Sequence, residues 1–258
     1  MMRITKHISF FYLENRIQYI NAIIEETNKY EIITDIYIHT NNKDLNKNSF
    51  HKYTNGNITI ICHDLSGIHP FYLTWACRYL MKHQKDDYDI FMYIEDDILV
   101  PYKAVAYWLK YNKKLIEMNY NLGFVRIEVE NNIEYITDLY GQQLDTLINL
   151  DNITYCVNNK NPYCAFWIYN KTEFDKFVNS KYYDINNIPN YGIREQSAIG
   201  LHGNGTIWYK NTIIPIVDNT HQYTLVDDCK IYHMPNNYVA DKNTPFATIR
   251  FDKAIVNL

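Results

Sequence analysis

The feature that most constrains this fold is the alternation, in the first half of the chain, of short apolar runs with segments of helical periodicity. Strands that alternate with helices stack as βαβ units on a mostly parallel sheet. We therefore predict an α/β protein whose central sheet is flanked by helices. The predicted strands are Ile4–Tyr12, Thr34–Thr40, Asn57–His63 and Asp89–Ile94, and the predicted helices are Asn15–Lys29, His69–His83 and Pro101–Met118.

Beyond residue 120 the pattern is less regular and indicates a smaller, mixed β region. One helix is expected to end at Val178, and its Thr172, three residues before Asp175, resembles the start of a capping box. The predicted strands of this half are Leu122–Glu130, Glu134–Leu139, Ile153–Val157, Cys164–Tyr169, Thr212–Val217 and Cys229–His233, and a further helix is predicted at Arg194–Leu201.

Size and charge narrow the class of protein. A chain of 258 residues suits a single domain, since α/β domains commonly reach about 250 residues. The net charge of −4 argues against a broad basic surface, so no nucleic-acid partner is expected. No apolar stretch approaches the roughly 18 residues of a membrane span.

Cysteine usage indicates the cellular setting. The five cysteines are odd in number and never form a C-x-x-C pair, so reduced thiols and a cytoplasmic location are expected, without a signal peptide. The bias towards Asn, Ile, Lys and Tyr is typical of AT-rich genomes, such as those of some giant viruses and protists. A viral source would place the protein in the host cytoplasm.

The sharpest chemical feature is an apolar run, Ile90–Ile94, that ends in three consecutive carboxylates, Glu95, Asp96 and Asp97. In open α/β sheets ligands bind beyond the carboxyl ends of strands, and adjacent carboxylates repel each other unless a cation or solvent screens them. Mn²⁺ or Mg²⁺ bound there would bridge the phosphates of a nucleotide. The alternative is an acidic surface turn that stabilises the start of the next helix.

This motif resembles the D-x-D-type motif of GT-A glycosyltransferases, in an E-D-D form. The resemblance implies that Asp97 ligates the metal directly and that Asp96 belongs to the donor site. Glu95 would reach the metal through water or contact the donor ribose. The Glu in place of the first Asp leaves both roles of Glu95 open.

A histidine near the C-terminus provides a second point of resemblance. Ile231-Tyr232-His233-Met234-Pro235 is similar to the segment that completes the metal site in many GT-A enzymes, which implies His233 as a ligand. Imidazole is a normal ligand of Mn²⁺, whereas Mg²⁺ prefers oxygen. The alternatives are a histidine hydrogen-bonded at a strand end, and His221 as the ligand instead.

The resemblance also implies a catalytic base. Arg194-Glu195-Gln196 begins a predicted helix where inverting GT-A enzymes carry an acidic residue that takes the acceptor proton, so Glu195 is the candidate base. A retaining enzyme would use Glu195 only to orient the acceptor. A glutamate stabilised by the helix dipole is the structural alternative.

Three further residues are candidate donor contacts by position. Arg16 follows the first predicted strand, Asp64 follows the third, and Arg78 lies on the second helix. The resemblance implies that Arg16 and Asp64 contact the nucleoside and that Arg78 faces the diphosphate. For each residue, a solvent-facing or packing role is the alternative.

Together these features predict one Rossmann-like GT-A domain spanning residues 1–258, with a donor-binding half at 1–120 and an acceptor-binding half at 121–258. The expected activity is metal-dependent transfer of a sugar from a nucleotide diphosphate donor, such as a UDP-sugar, to a glycan or protein acceptor. One alternative is a sugar-phosphate nucleotidyltransferase, although Ile8–Tyr12 lacks the glycines of its loop. The other is a non-catalytic protein that binds carbohydrate or nucleotide.

Overall fold

The computed structural model describes residues 1–188, 192–200, 210–218 and 222–256, and it confirms the predicted α/β class. Its elements are, in chain order, β1 (Arg3–Phe10), α1 (Ile17–Thr27), β2 (Ile33–Thr40), β3 (Ile58–Cys62), α2 (Leu73–His83), β4 (Ile90–Glu95), β5 (Ile98–Leu99), α3 (Tyr102–Glu117), β6 (Asn121–Leu122), β7 (Val125–Glu130), β8 (Ile133–Ile136), β9 (Leu147–Leu150), β10 (Ile153–Val157), β11 (Phe166–Asn170), α4 (Lys171–Val178), α5 (Ile193–Ala198), β12 (Thr212–Asp218), β13 (Tyr223–Leu225), β14 (Lys230–His233), α6 (Asn237–Ala240) and β15 (Ile249–Arg250).

The described residues fall into two compact units that interleave along the chain. The first comprises those of Met1–Ile98 and Ala165–Leu201, and the second those of Leu99–Cys164 and His202–Leu258. No helix in the described ranges is both long enough and apolar enough to cross a bilayer.

The first unit is built on one sheet with the strand order β11-β4-β1-β2-β3. The pairs β1/β2, β2/β3 and β1/β4 are parallel, and β11 is antiparallel to β4. Every residue of β4 is buried, as is all of β1 after Arg3, which explains their continuous apolar character. The four predicted strands of the first half are therefore confirmed, with ends that differ by one or two residues.

Two amphipathic helices pack in this unit. α1 buries Ile20, Ile23 and Ile24, the face that its periodicity predicts. α2 packs against β1 and β2 and begins at Leu73 rather than at His69, because Pro70–Tyr72 form a tighter 3₁₀ turn before it. The observed helix is therefore shorter than predicted at its N-terminus.

The start of α4 corrects one prediction. The predicted capping residue was Thr172, but α4 begins at Lys171 and the side chain of Asn170 accepts a hydrogen bond from Glu173 N–H at 2.9 Å. An Asn oxygen at this position satisfies an N–H group that has no partner within the helix. Thr172 therefore lies inside the first turn and is exposed.

The second unit contains two further sheets. In one, β13, β12, β10 and β9 are adjacent in that order, and β6 pairs with β12; in the other, β15, β8, β7 and β14 are adjacent. Two-residue turns connect β7 to β8 and β9 to β10, and their residues have positive φ angles, which suits the twist of a tight hairpin. These turns are Asn131-Asn132 and Asp151-Asn152.

Candidate functional site

A cavity lies at the carboxyl edge of the first unit's sheet. The strand order reverses at β1, which has β2 on one side and β4 on the other, and open α/β sheets bind ligands at such a point. Ser9 pairs with Glu95 there, and Asp96 N–H donates to Ser9 O at 3.1 Å. Residues from β1, α2, β4, α5 and their adjoining loops enclose about 370 Å³, a volume typical of small-molecule sites.

One side of this cavity is apolar and exposed. Phe11 and Leu13 follow β1, and Phe71 lies in the turn before α2; their exposed fractions are 40%, 51% and 47%. Pro70 and Leu73 continue the same wall. Apolar side chains grouped at an open cavity indicate a contact surface for a ligand.

The other side carries charge. Glu95, Asp96 and Asp97 are only 3%, 6% and 3% exposed. Arg16 donates from Nε and Nη2 to the two oxygens of Asp96 at 2.6 and 2.7 Å, and from Nη2 to Asp97 Oδ2 at 2.6 Å. The first predicted donor contact is therefore held against the acidic motif.

A second arginine pairs with the first acid of the motif. Arg194 donates from Nε to Glu95 Oε2 at 3.0 Å, and its Nη2 also bonds that oxygen. Arg194 lines the cavity together with Arg16, Glu95 and Asp96. Arg194 was not among the predicted site residues, because nothing in the local sequence indicates a partner 99 residues away.

The charges of this cluster interact closely. Among the described residues, two guanidinium groups pair with three carboxylates. Burial raises the pKa of Asp96, and the neighbouring Asp97 raises it further, whereas Arg16 opposes both effects. Positive charge beside Asp96 therefore favours its ionised form, and the two arginines present donors suited to phosphate oxygens.

Two other predicted donor contacts lie outside the lining of this cavity. Asp64 is exposed and accepts a hydrogen bond from Ser66 N–H at 2.9 Å. Arg78 is 1% exposed and donates to Ile199 O at 2.6 Å, with its guanidinium carbon 3.9 Å from the centroid of the Trp75 ring. The structure therefore gives Arg78 a packing role, and donor contacts by either residue stay predictions.

Glu195, the predicted base, is exposed in the first turn of α5. Its carboxylate lies against the backbone of Gly192, where an added Cβ would be 2.6 Å from Oε2. It adjoins Arg194 in sequence but is not part of the cavity lining. Its catalytic role remains a prediction.

His233, the predicted late metal ligand, ends β14 in the second unit and is 4% exposed. Its Nδ1 lies 2.5 Å from Oε1 of Glu128, a fully buried residue of β7. The sequence analysis did not identify Glu128. The rival histidine, His221, lies outside the described residues.

Within the described ranges, no three His, Cys, Asp or Glu side chains are grouped so as to hold a metal ion by themselves. The carboxylates of the motif instead bond the two arginines. A cation at Glu95 or Asp97 would therefore need oxygen ligands from a bound molecule as well. Carboxylate oxygens are nevertheless donors that suit Mn²⁺ and Mg²⁺.

Comparison with solved structures gives a distant likeness in fold. No family model and no curated protein matches this chain. Among solved structures, residues 1–349 of TarS from S. aureus, a glycosyltransferase, resemble it with a TM-score of 0.43 and 9% identity. The match covers 93% of this chain and 63% of that one, so this chain spans less than two thirds of its length.

Proposed function

We propose that this protein is a GT-A-type glycosyltransferase that takes a sugar from a nucleotide diphosphate donor. One observation carries the proposal: a cavity at the point where the sheet order reverses combines an apolar wall with two arginines and an acidic motif. A nucleoside diphosphate has the matching parts, a flat base and a charged pyrophosphate. A UDP-sugar is the donor we propose to test first.

Each part of the cavity has a proposed task. Phe11, Leu13 and Phe71 pack against the base and exclude water from it. Arg16 and Arg194 bind the diphosphate oxygens through paired N–H donors. In doing so they leave the carboxylates that they bond in the free protein.

The same exchange of partners would make the carboxylates available to a cation. With the arginines drawn to the phosphates, Asp97 and Glu95 would be available to hold Mn²⁺ or Mg²⁺ together with oxygens of the diphosphate. When bound, the cation stabilises the negative charge of the departing nucleoside diphosphate.

Glu195 is the proposed base for the acceptor, a glycan or protein hydroxyl. It is exposed beside a cavity-lining arginine, so an acceptor can approach it from solvent. A carboxylate within hydrogen-bond reach of the hydroxyl takes its proton as the new glycosidic bond forms. We propose that residues 1–120 supply most donor contacts and residues 121–258 the acceptor contacts.

The experiment is an assay of UDP release from a panel of UDP-sugars with Mn²⁺, in the wild type and in Asp97→Ala. We expect a rate in the wild type and a loss of at least about 100-fold in the variant, since metal-assisted charge stabilisation is worth several kcal/mol. Asp252→Ala removes another aspartate that pairs with an arginine, Arg250, and that is not among the residues lining this cavity; it serves as the control. Full activity of Asp97→Ala would refute the metal role.

A second candidate is a nucleotide-binding protein without turnover. It is favoured by the ion pairs that already engage all three carboxylates of the motif. Calorimetry with UDP, followed by the assay of sugar release, distinguishes the two candidates. Binding without release from any tested donor supports this second function.

A further inference from the structure

A further cavity lies along α2 in the first unit. Residues of α2 and Tyr183 line it, and it encloses about 460 Å³, a volume typical of small-molecule sites. It shares no lining residue with the cavity beside the acidic motif. We call it the α2 cavity.

Aromatic rings line the α2 cavity. Trp75 and Tyr183 are half-buried, and their ring centroids lie 6.5 Å apart with an interplanar angle of 53°. Tyr79 is 75% exposed, and its ring centroid lies 4.4 Å from that of His83. Rings grouped at the surface around a cavity indicate a contact surface for a ligand rather than packing of the core.

A buried cation belongs to the same lining. Arg78 donates to two neutral carbonyls, Thr74 O at 3.2 Å and Ile199 O at 2.6 Å, and its Nε has no hydrogen-bond partner. No carboxylate pairs with Arg78 in the part of the chain that the structure describes, and burial lowers the pKa of its guanidinium. Because a buried charge without an opposite charge is costly, an anion in this cavity would offset the cost.

Further positive charge lies at the exposed side of the cavity. Lys82 follows Arg78 by one turn of α2, is exposed, and has its Nζ 5.7 Å from the centroid of the Tyr183 ring. Among the described residues that line the cavity, none is Asp or Glu. The charge of the α2 cavity is therefore complementary to that of an anion.

The angles between the rings favour a sugar over a nucleotide base. A flat base stacks best between parallel rings, whereas Trp75 and Tyr183 are tilted against each other. A pyranose ring has C–H groups on several sides, so it can contact rings at different angles, and its hydroxyls can accept from Trp75 Nε1 and the Tyr79 hydroxyl. The guanidinium carbon of Arg78, 3.9 Å from the centroid of the Trp75 ring, helps to hold this ring in place.

We infer that the α2 cavity binds an acidic saccharide, which is a sugar ring that carries a carboxylate or a phosphate. The sugar ring packs on Trp75, Tyr79 and Tyr183. The anionic group pairs with Lys82, and the buried charge of Arg78 attracts the same group. This inference does not depend on the proposed function, because no residue that lines the donor cavity takes part.

The first test is a titration followed by ¹⁹F spectra of protein labelled with 5-fluorotryptophan. The chain has four tryptophans, and Trp75→Phe identifies the Trp75 signal by its loss. We expect glucose 6-phosphate, glucuronic acid or both to shift the Trp75 signal saturably. The affinity should exceed that for glucose at least about 10-fold, since hydrogen bonds to charged groups are the stronger ones.

The second test compares two lysines in the same titration. Lys82→Ala should weaken binding of the acidic sugar about 10-fold. Lys110→Ala is the matched control, because Lys110 is also an exposed helix lysine near a tyrosine ring, that of Tyr111, and does not line this cavity. It should bind the sugar as the wild type does. Thermal unfolding of both variants shows whether either change affects the fold.

The other outcomes overturn the inference. A Trp75 signal that neither acidic sugar shifts would exclude the site, and equal affinities for glucose and glucose 6-phosphate would exclude the role of charge. Inorganic phosphate that binds as tightly as glucose 6-phosphate would exclude the sugar contact. Tighter binding of AMP than of either acidic sugar would indicate a nucleotide site instead.

Discussion

At the scale of single residues, Arg16 connects the cavity to the acidic motif. Its guanidinium makes paired hydrogen bonds to Asp96 and a further one to Asp97, and its side chain is 26% exposed at the cavity. Such a planar fork fits a phosphate as well as a carboxylate. The residue is therefore placed to exchange one anionic partner for another when a donor binds.

We expect Arg16→Gln to weaken UDP binding about 10- to 100-fold, because hydrogen bonds to charged groups contribute about 1.5–3 kcal/mol each. Loss of the positive charge also leaves the carboxylates to repel the phosphates. Isothermal titration calorimetry without metal measures the effect. Arg250→Gln, which breaks a paired ion contact with Asp252 elsewhere, should bind UDP as the wild type does. Unchanged affinity of Arg16→Gln would contradict the donor role of this residue.

The sequence predicts only part of this site, because some of its residues form local motifs and others have partners that are distant in the sequence. Three adjacent carboxylates after a buried strand are visible locally, and so is an arginine just after the first strand. Arg194 could not be found in this way, since its partner Glu95 lies 99 residues away in the sequence. Only the folded chain brings such pairs together.

At the scale of elements, periodicity predicts the first half of the chain well. Buried parallel strands appear in the sequence as continuous apolar runs, and amphipathic helices appear as apolar residues at helical spacing. The predicted elements therefore match β1 to β4 and α1 to α3. In the second unit β7, β8 and β10 match predicted strands, whereas β9 and the two hairpin turns were not predicted. These turns consist of Asn and Asp, and in a chain so rich in Asn these residues give no clear turn signal.

The start of α4 provides a direct test of helix capping. Asn170→Ala should lower the free energy of unfolding by about 1 kcal/mol, since the Glu173 N–H loses its side-chain acceptor. Thr172→Ala, at the position that the sequence favoured, should change it by less than about 0.5 kcal/mol. Urea unfolding of both variants measures the difference. A larger loss for Thr172→Ala would contradict the observed cap.

At the scale of the whole molecule, a row of histidines ties stability to pH. His7 Nδ1 lies 2.8 Å from His39 Nε2, and His39 Nδ1 lies 2.8 Å from His63 Nε2. Gln84 Oε1 completes the row, 3.0 Å from His7 Nε2. Burial lowers the pKa of His7 to about 3 and also lowers the pKa of His39 and of His63.

Mild acid should therefore already destabilise this protein. Unfolded histidines have a pKa of about 6.5, so below that pH the unfolded chain binds more protons than the folded chain. The stability that comes from keeping these histidines neutral is fully present above pH 6.5. It falls as the pH drops towards 3, by up to about 1.4 kcal/mol per pH unit for His7 alone.

The measurement is the slope of unfolding free energy against pH, from urea titrations between pH 7 and 5. His7→Gln should flatten this slope, whereas replacement of the exposed His83 should not alter it. Absolute stability can fall in His7→Gln without affecting the comparison of slopes. If His7→Gln and the wild type have the same slope, this histidine does not cause the loss of stability in acid.

The proposed function depends on the cavity where the sheet order reverses, and a crystal structure grown with UDP and MnCl₂ tests it most directly. We predict the pyrophosphate beside Arg16 and Arg194, the base against Phe11 or Phe71, and manganese on Asp97. A nucleotide bound elsewhere, with both arginines still paired to Asp96 and Glu95, would contradict the account.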